Sequence, residues 1–184
     1  MQQRLTDCND PLAAIVELAA GFVPDPNRAL AAEELTGESL PQPFRDLLVH
    51  DEHMTERLRQ HYAGDVALHA VHTEEHDDVY RRIILLTRAD GAPVELGMVR
   101  IHLDCIAPEV VAEIRAKQAP LGDILIRHDV LRRIEPRWFL RFTNPAACAA
   151  AWSVSHSGDL YGRVGIIHYE HRPAIELLEI LTGV

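Results

Sequence analysis

Tyr80-Arg81-Arg82-Ile83-Ile84-Leu85-Leu86-Thr87, then Ala89-Asp90-Gly91, then Val94-Glu95-Leu96-Gly97-Met98-Val99-Arg100-Ile101-His102-Leu103, is the stretch that decides the fold class. Both runs are rich in β-branched and aliphatic residues, and an Asp-Gly step between two such runs is a hairpin signal. Working outward, Leu131–Phe142 and Gly162–Tyr169 read as further strands, and His171-Arg172-Pro173 turns the chain into a last strand, Ala174–Leu181. Val66–His72 alternates weakly. Pro108 opens a helix through Lys117, and Asn9-Asp10-Pro11 starts another, with Leu12, Ile15, Val16 and Ala19 at helical spacing before Gly21. Strands joined by short turns, with helices in two blocks, predict an α+β fold: a mostly antiparallel β-sheet with flanking helices.

The 184 residues suit one compact domain. Residues 1–42 read as an N-terminal helix and a loosely packed, proline-punctuated connector with one helical turn around Leu30–Leu35, and residues 43–184 as the main domain. Phe44, Leu47 and Leu48, then Met54, Leu58 and Tyr62, predict two helical segments meeting near His50–His53. A net charge of −10 argues against nucleic-acid binding, which rests on cationic contacts with phosphates, and requires local cations for any anionic ligand. No apolar run reaches the ~20 residues that span a bilayer. The first residues lack a leader's apolar core, so the expected location is the cytoplasm. Cys8, Cys105 and Cys148 form no CxxC pair and are expected as reduced, packed thiols.

Several segments then fall into a shared order. Leu47-Leu48-Val49-His50-Asp51-Glu52-His53-Met54-Thr55, the Arg82 hairpin with its Asp90-Gly91 turn, Pro120-Leu121-Gly122, Tyr161-Gly162-Arg163, Arg172-Pro173 and Glu179 together resemble the chorismate pyruvate-lyase family over about positions 44–181. The resemblance implies a chorismate lyase-like domain at 43–184. It also implies a cofactor-independent carbon–oxygen lyase that eliminates pyruvate from chorismate and leaves a hydroxybenzoate, 4-hydroxybenzoate in the family, a quinone precursor. Carried over, the ligand contacts are Met54, Arg82, Leu121 and Glu179, with Arg82 and Glu179 as the catalytic pair and no metal. An arginine fork suits a ring carboxylate, and a carboxyl in an apolar pocket can stay protonated to assist proton transfer.

Alternatives stay open within this set. The hairpin is one residue longer between its arginine and Gly91 than the family pattern, so Arg81 competes with Arg82, and a one-residue slip would send the side chain to the other face. Glu176 competes with Glu179 on opposite faces of the last strand. Glu179 would point inward with Ile175, Leu177 and Leu181, with nothing in sequence to pair it, or lie exposed on an edge strand. Arg100 and Arg163 are candidates for a second carboxylate.

Eleven histidines include His50-Asp51-Glu52-His53 and His69-x-x-His72-x-x-x-His76, but neither matches a zinc spacing, and His69 and His72 should alternate to opposite faces. Ser153–Gly158 lacks the first glycine of a nucleophile elbow and reads as a polar loop. Two functions of different class follow: the lyase, and a non-catalytic aromatic-acid-binding module of the same fold, since effector-sensing domains of bacterial regulators share that architecture. Residues 1–40, short, acidic and proline-punctuated, are not expected to form a DNA-binding segment, which weakens the regulator version and leaves a free-standing binder of a small molecule open. The sequence does not specify an oligomeric state.

Overall fold

Asp10 accepts a hydrogen bond from the Leu12 amide at 2.9 Å, and Pro11 takes the first helical position, so the predicted cap starts α1 (Pro11–Ala19). The computed structural model describes residues 4–156 and 158–182; Met1–Gln3 of the leader reading and Ser157 of the polar loop lie outside the described residues. After α1 come α2 (Pro26–Ala29), β1 (Ala32–Leu35), α3 (Phe44–Leu48), α4 (Met54–Tyr62), β2 (Val66–His76), β3 (Val79–Arg88) and β4 (Pro93–His102). The chain continues through α5 (Pro108–Ala116), α6 (Leu121–Arg127), β5 (Arg132–Phe142), α7 (Pro145–Ala150), β6 (Leu160–Tyr169) and β7 (Arg172–Leu181).

The strands form one seven-stranded sheet in the order β1-β5-β6-β7-β4-β3-β2, with every neighbouring pair antiparallel. Two meanders, β2-β3-β4 and β5-β6-β7, meet where β4 pairs with β7. The Asp-Gly turn makes the predicted hairpin: Gly91 has φ +83°, which glycine adopts without strain, and Asp90 accepts from the Ala92 amide at 3.0 Å. This is the predicted α+β fold with a mainly antiparallel sheet.

Both faces of the sheet are covered. Leu178 and Ile180 of β7 pack with Ile15 and Leu18 of α1 and with Trp152 on one face. On the other, Ile175 and Leu177 pack with Val110 and Ile114 of α5 and Ile124 of α6, while Leu181 packs with Leu48 and Leu58 of α3 and α4. β7 therefore runs through the middle of the sheet, and the edge-strand reading of Glu179 is corrected.

Three other expectations change. The connector is not loosely packed: Leu30 and Leu40 are buried, and Ala32–Leu35, expected as a helical turn, is strand β1, paired to β5 with Glu33 opposite Arg141. A register shift between Ala70 and His72 sets His69 opposite Leu85 and His72 opposite Ile83, so the two histidines share a face instead of alternating. All three cysteines are free and buried, as expected of packed thiols, and burial pushes the Cys148 thiol up to about 12.

Candidate functional site

The face under α3–α6 carries a row of charged side chains where an apolar layer would ordinarily sit. Arg82 on β3, Glu95 on β4, Arg163 on β6 and Glu179 on β7 are all buried. The registers bring them together: Arg82 lies opposite Val99, Gly97 lies between Ile84 and Glu179, and Arg163 lies directly opposite Glu179.

A cavity of about 40 Å³ opens over Gly97, floored by Arg82, Glu95, Val99, Leu177 and Glu179 and roofed by the first residues of α4 and α6. Met54 and Leu121 line that roof, so Met54, Arg82, Leu121 and Glu179 all border the one cavity. Glu95 was not foreseen; its signal was an acidic residue two places before a glycine in an otherwise apolar strand.

The hairpin register separates the two arginines. Arg81 points to the opposite face, where it pairs with Glu74 at 2.5 Å and donates to the Leu18 and Ala20 carbonyls at 2.7 Å. Arg82 has no exposed surface, and none of its three guanidinium nitrogens makes a hydrogen bond among the described residues. Burial lowers its pKa, with the Tyr80 hydroxyl and Glu95 acting in the opposite direction. A buried cation without partners costs several kcal/mol, of order, unless a ligand supplies the missing charge.

Each of the two candidates for a second cation already has a glutamate. On the α1 face Arg100 donates through Nε to Glu176, which also accepts from the Leu5 amide at 2.7 Å. Burial works against the Glu176 carboxylate, but His102, Arg100 and the Leu5 amide hold it below the usual range. On the cavity face Arg163 Nε donates to Glu179 Oε2 at 2.5 Å. Its other nitrogens donate to the carbonyls of His50 at 2.8 Å, Leu48 at 3.2 Å and Glu52 at 3.2 Å. Glu179, expected to lack a partner, therefore has one, and Arg163 ties the α3–α4 loop to the sheet.

The acid that burial pushes toward its neutral form is Glu95. It is 3% exposed, and its Oε2 is buried without a hydrogen bond. Desolvation first, then the neighbouring Glu179 carboxylate, push its pKa well above the ordinary value against the pull of Arg163 and Arg82.

His50 and His53 serve the roof. His50 Nδ1 faces the Glu52 amide at 3.1 Å, and its Nε2 faces the Leu47 carbonyl at 2.8 Å. His53 Nε2 accepts from Arg132 Nε at 2.7 Å, which leaves its proton on Nδ1. Burial first, then nearby arginines, lower both imidazoles to about 4, so both are neutral at pH 7. His53 also borders an open cleft of about 750 Å³ beside Arg132, and thus forms the wall between cavity and solvent. Gly122 accommodates that wall: a Cβ there would sit 2.9 Å from His53 Cβ and Cγ. Gly122→Ala should therefore destabilise the protein by about 1–3 kcal/mol, as overpacking does, seen as a lower midpoint in urea unfolding. An unchanged midpoint would show that the His53 wall yields freely.

No family model matches the chain, and no curated protein does. Among solved structures, PhnF from Mycobacterium smegmatis is similar, with a TM-score of 0.55 and 14% identity. The match covers 73% of this chain and 65% of PhnF, so the chain spans about two thirds of that protein's length. At this identity the likeness shows the fold alone, an α+β fold with an antiparallel sheet and flanking helices.

Proposed function

We propose that the cavity binds a small aromatic carboxylic acid and that the chain uses it as a cofactor-independent lyase, eliminating pyruvate from chorismate and leaving a hydroxybenzoate. Arg82 carries the reading: a fully buried guanidinium with three unpartnered nitrogens calls for a planar, bidentate anion, and an arene carboxylate is one. Val99, Leu121 and Leu177 offer the apolar walls a ring needs. In the reaction the bond between the ring carbon and the ether oxygen breaks, the oxygen leaving with the enolpyruvyl group as the ketone oxygen of pyruvate. A ring C–H proton is given up, and the enolpyruvyl methylene gains one to become the methyl of pyruvate. Aromatisation drives this, so the protein's work is to orient, desolvate and manage one proton. Glu95, neutral, and Glu179, fixed by Arg163, are the carboxyl groups at hand.

At about 40 Å³ the cavity is smaller than the ~150 Å³ space that admits a benzene ring, so binding requires the α4 and α6 termini to move apart. A second reading, an aromatic-acid-binding module without turnover, is favoured by one observation. Chorismate carries two carboxylates, whereas Arg163 is already committed to Glu179 and three carbonyls.

Incubation of the protein with chorismate in the presence of a chelator should yield pyruvate and an aromatic acid in equal amounts. Saturable binding of 4-hydroxybenzoate with no turnover would establish the module instead. Failure to bind either compound would remove both readings.

A further inference from the structure

We infer that Glu95 is the specificity-determining residue of this site: as a neutral carboxylic acid beside Arg82, it makes the cavity select monoanions and tie their binding to its own proton. The inference rests on the second reading, the aromatic-acid-binding module, since a site selecting monoanions disfavours chorismate, a dicarboxylate. It comes from counting charge. Among the described residues the groups facing Glu95 are Arg82 from β3, Glu179 from β7 and Arg163 from β6, with the neutral His53 on the roof. Arg163 and Glu179 cancel through their 2.5 Å contact. What remains is the Arg82 cation and whatever charge Glu95 carries.

The geometry disfavours the ionised form of Glu95. Its side chain is almost wholly buried, Oε2 has no donor, and the nearest other carboxylate, Glu179, lies diagonally across from it, beside Gly97. Gly97 leaves room there: a Cβ at that position would meet Ile84 Cγ1 at 2.7 Å and come within 3.3 Å of Glu95 Oε1. Desolvation and the Glu179 charge both disfavour ionisation.

With Glu95 protonated the cavity holds a net single positive charge and one free O–H donor. A monocarboxylate neutralises the charge, and an oxygen on the ligand can accept the donor. A dicarboxylate leaves one negative charge buried without a partner, which is strongly unfavourable. Ionisation of Glu95 would supply Arg82 with an internal counter-ion and remove the site's reason to bind an anion. Affinity for a monoanion should therefore be flat at low pH and fall by up to about tenfold per pH unit above the Glu95 pKa.

The test measures binding of 4-hydroxybenzoate and of terephthalate, a dicarboxylate on the same ring, from about pH 5.5 to 8.5, where both keep their charge. It compares the wild-type protein with Glu95→Gln, a nearly isosteric side chain that cannot ionise. Wild-type protein should prefer 4-hydroxybenzoate by at least about 100-fold, the penalty of an unpaired buried charge, with affinity decreasing toward the alkaline end. Glu95→Gln should keep the preference and lose the pH dependence. An infrared carboxylic-acid band present in ligand-free wild type and absent in Glu95→Gln should report the proton directly, and wild-type protein alone carries the test if the variant does not fold. Equal affinity for the two acids, or no such band at neutral pH, would overturn the role of Glu95 while leaving the aromatic-acid site standing. Binding of neither acid by wild type would overturn both.

Discussion

Arg82→Met should weaken binding of 4-hydroxybenzoate by about 10²–10³-fold and raise the melting temperature of the ligand-free protein. Both results follow from one fact. The guanidinium is fully buried, and no described group makes a hydrogen bond to its nitrogens that meets ordinary geometry, so in the ligand-free protein it is a desolvated charge that the Tyr80 hydroxyl and Glu95 offset only in part. Methionine is unbranched and flexible enough to fill the space beside Ile84 and Val99 without a charge. By analogy with buried ionic groups replaced by packed apolar residues, the gain should be about 1–4 kcal/mol, a rise of several degrees for a chain of this length. The loss in binding should be about 10²–10³-fold, because a carboxylate in the cavity would forfeit a two-pronged, charge-assisted contact. Calorimetric unfolding and a binding titration on the same preparation read the two effects. Arg81→Ala serves as the control, and its signature is opposite: it strips Glu74 and the Leu18 and Ala20 carbonyls of their donor, so stability falls while the cavity is untouched. A destabilised Arg82→Met that still binds the acid would show that the guanidinium is structural.

The contrast between Arg81 and Arg82 shows how much of the site could be read from sequence. The Asp90-Gly91 turn sets the hairpin register, and a correct register assigns each side chain to a face. Met54 and Leu121 came from the family resemblance, carried by the short segments around Met54-Thr55 and Pro120-Leu121-Gly122, and both border the cavity. What escaped was non-local. That Glu179 has a partner depends on Arg163 standing opposite it across β6 and β7, and neither segment reveals that alone. Glu95 escaped for a different reason. β4, β6 and β7 are buried on both faces, so their sequences run apolar almost without alternation, and an inward carboxyl does not stand out against an outward one. β1 was missed because Ala32-Glu33-Glu34-Leu35 has little strand propensity; pairing with β5 makes it a strand.

Arg163→Ala should be the most destabilising single change in the site, at about 3–5 kcal/mol. The loss is large because one guanidinium serves five acceptors, His50 Nδ1 at 3.3 Å among them. Without it, Glu179 becomes a buried carboxylate with no cation opposite, and the carbonyls of Leu48, His50 and Glu52 lose a donor. Arg163→Lys should recover little, since an ammonium on a flexible stem cannot reach a carboxylate and three carbonyls at once. Glu179→Gln should cost less, because the amide oxygen still accepts from Nε. Hydrogen exchange localises the effect: amides of residues 49–56 should lose more protection in Arg163→Ala than those of β3 and β4, which fall only with global stability, and ligand affinity should fall as the roof loosens. Protection equal to wild type in that segment would show that packing of α3 and α4 holds the loop unaided. Acid gives an independent check. His50 and His53 have folded-state pKa values of about 4 against an ordinary 6.5, so the unfolded chain takes up their protons first. Stability should accordingly be lost as pH falls from about 6.5 toward 4. Arg163 is one of the cations holding both imidazoles down, after burial itself. In Arg163→Ala those pKa values should rise, and the acid-induced loss across that window should become smaller even though the protein is weaker throughout.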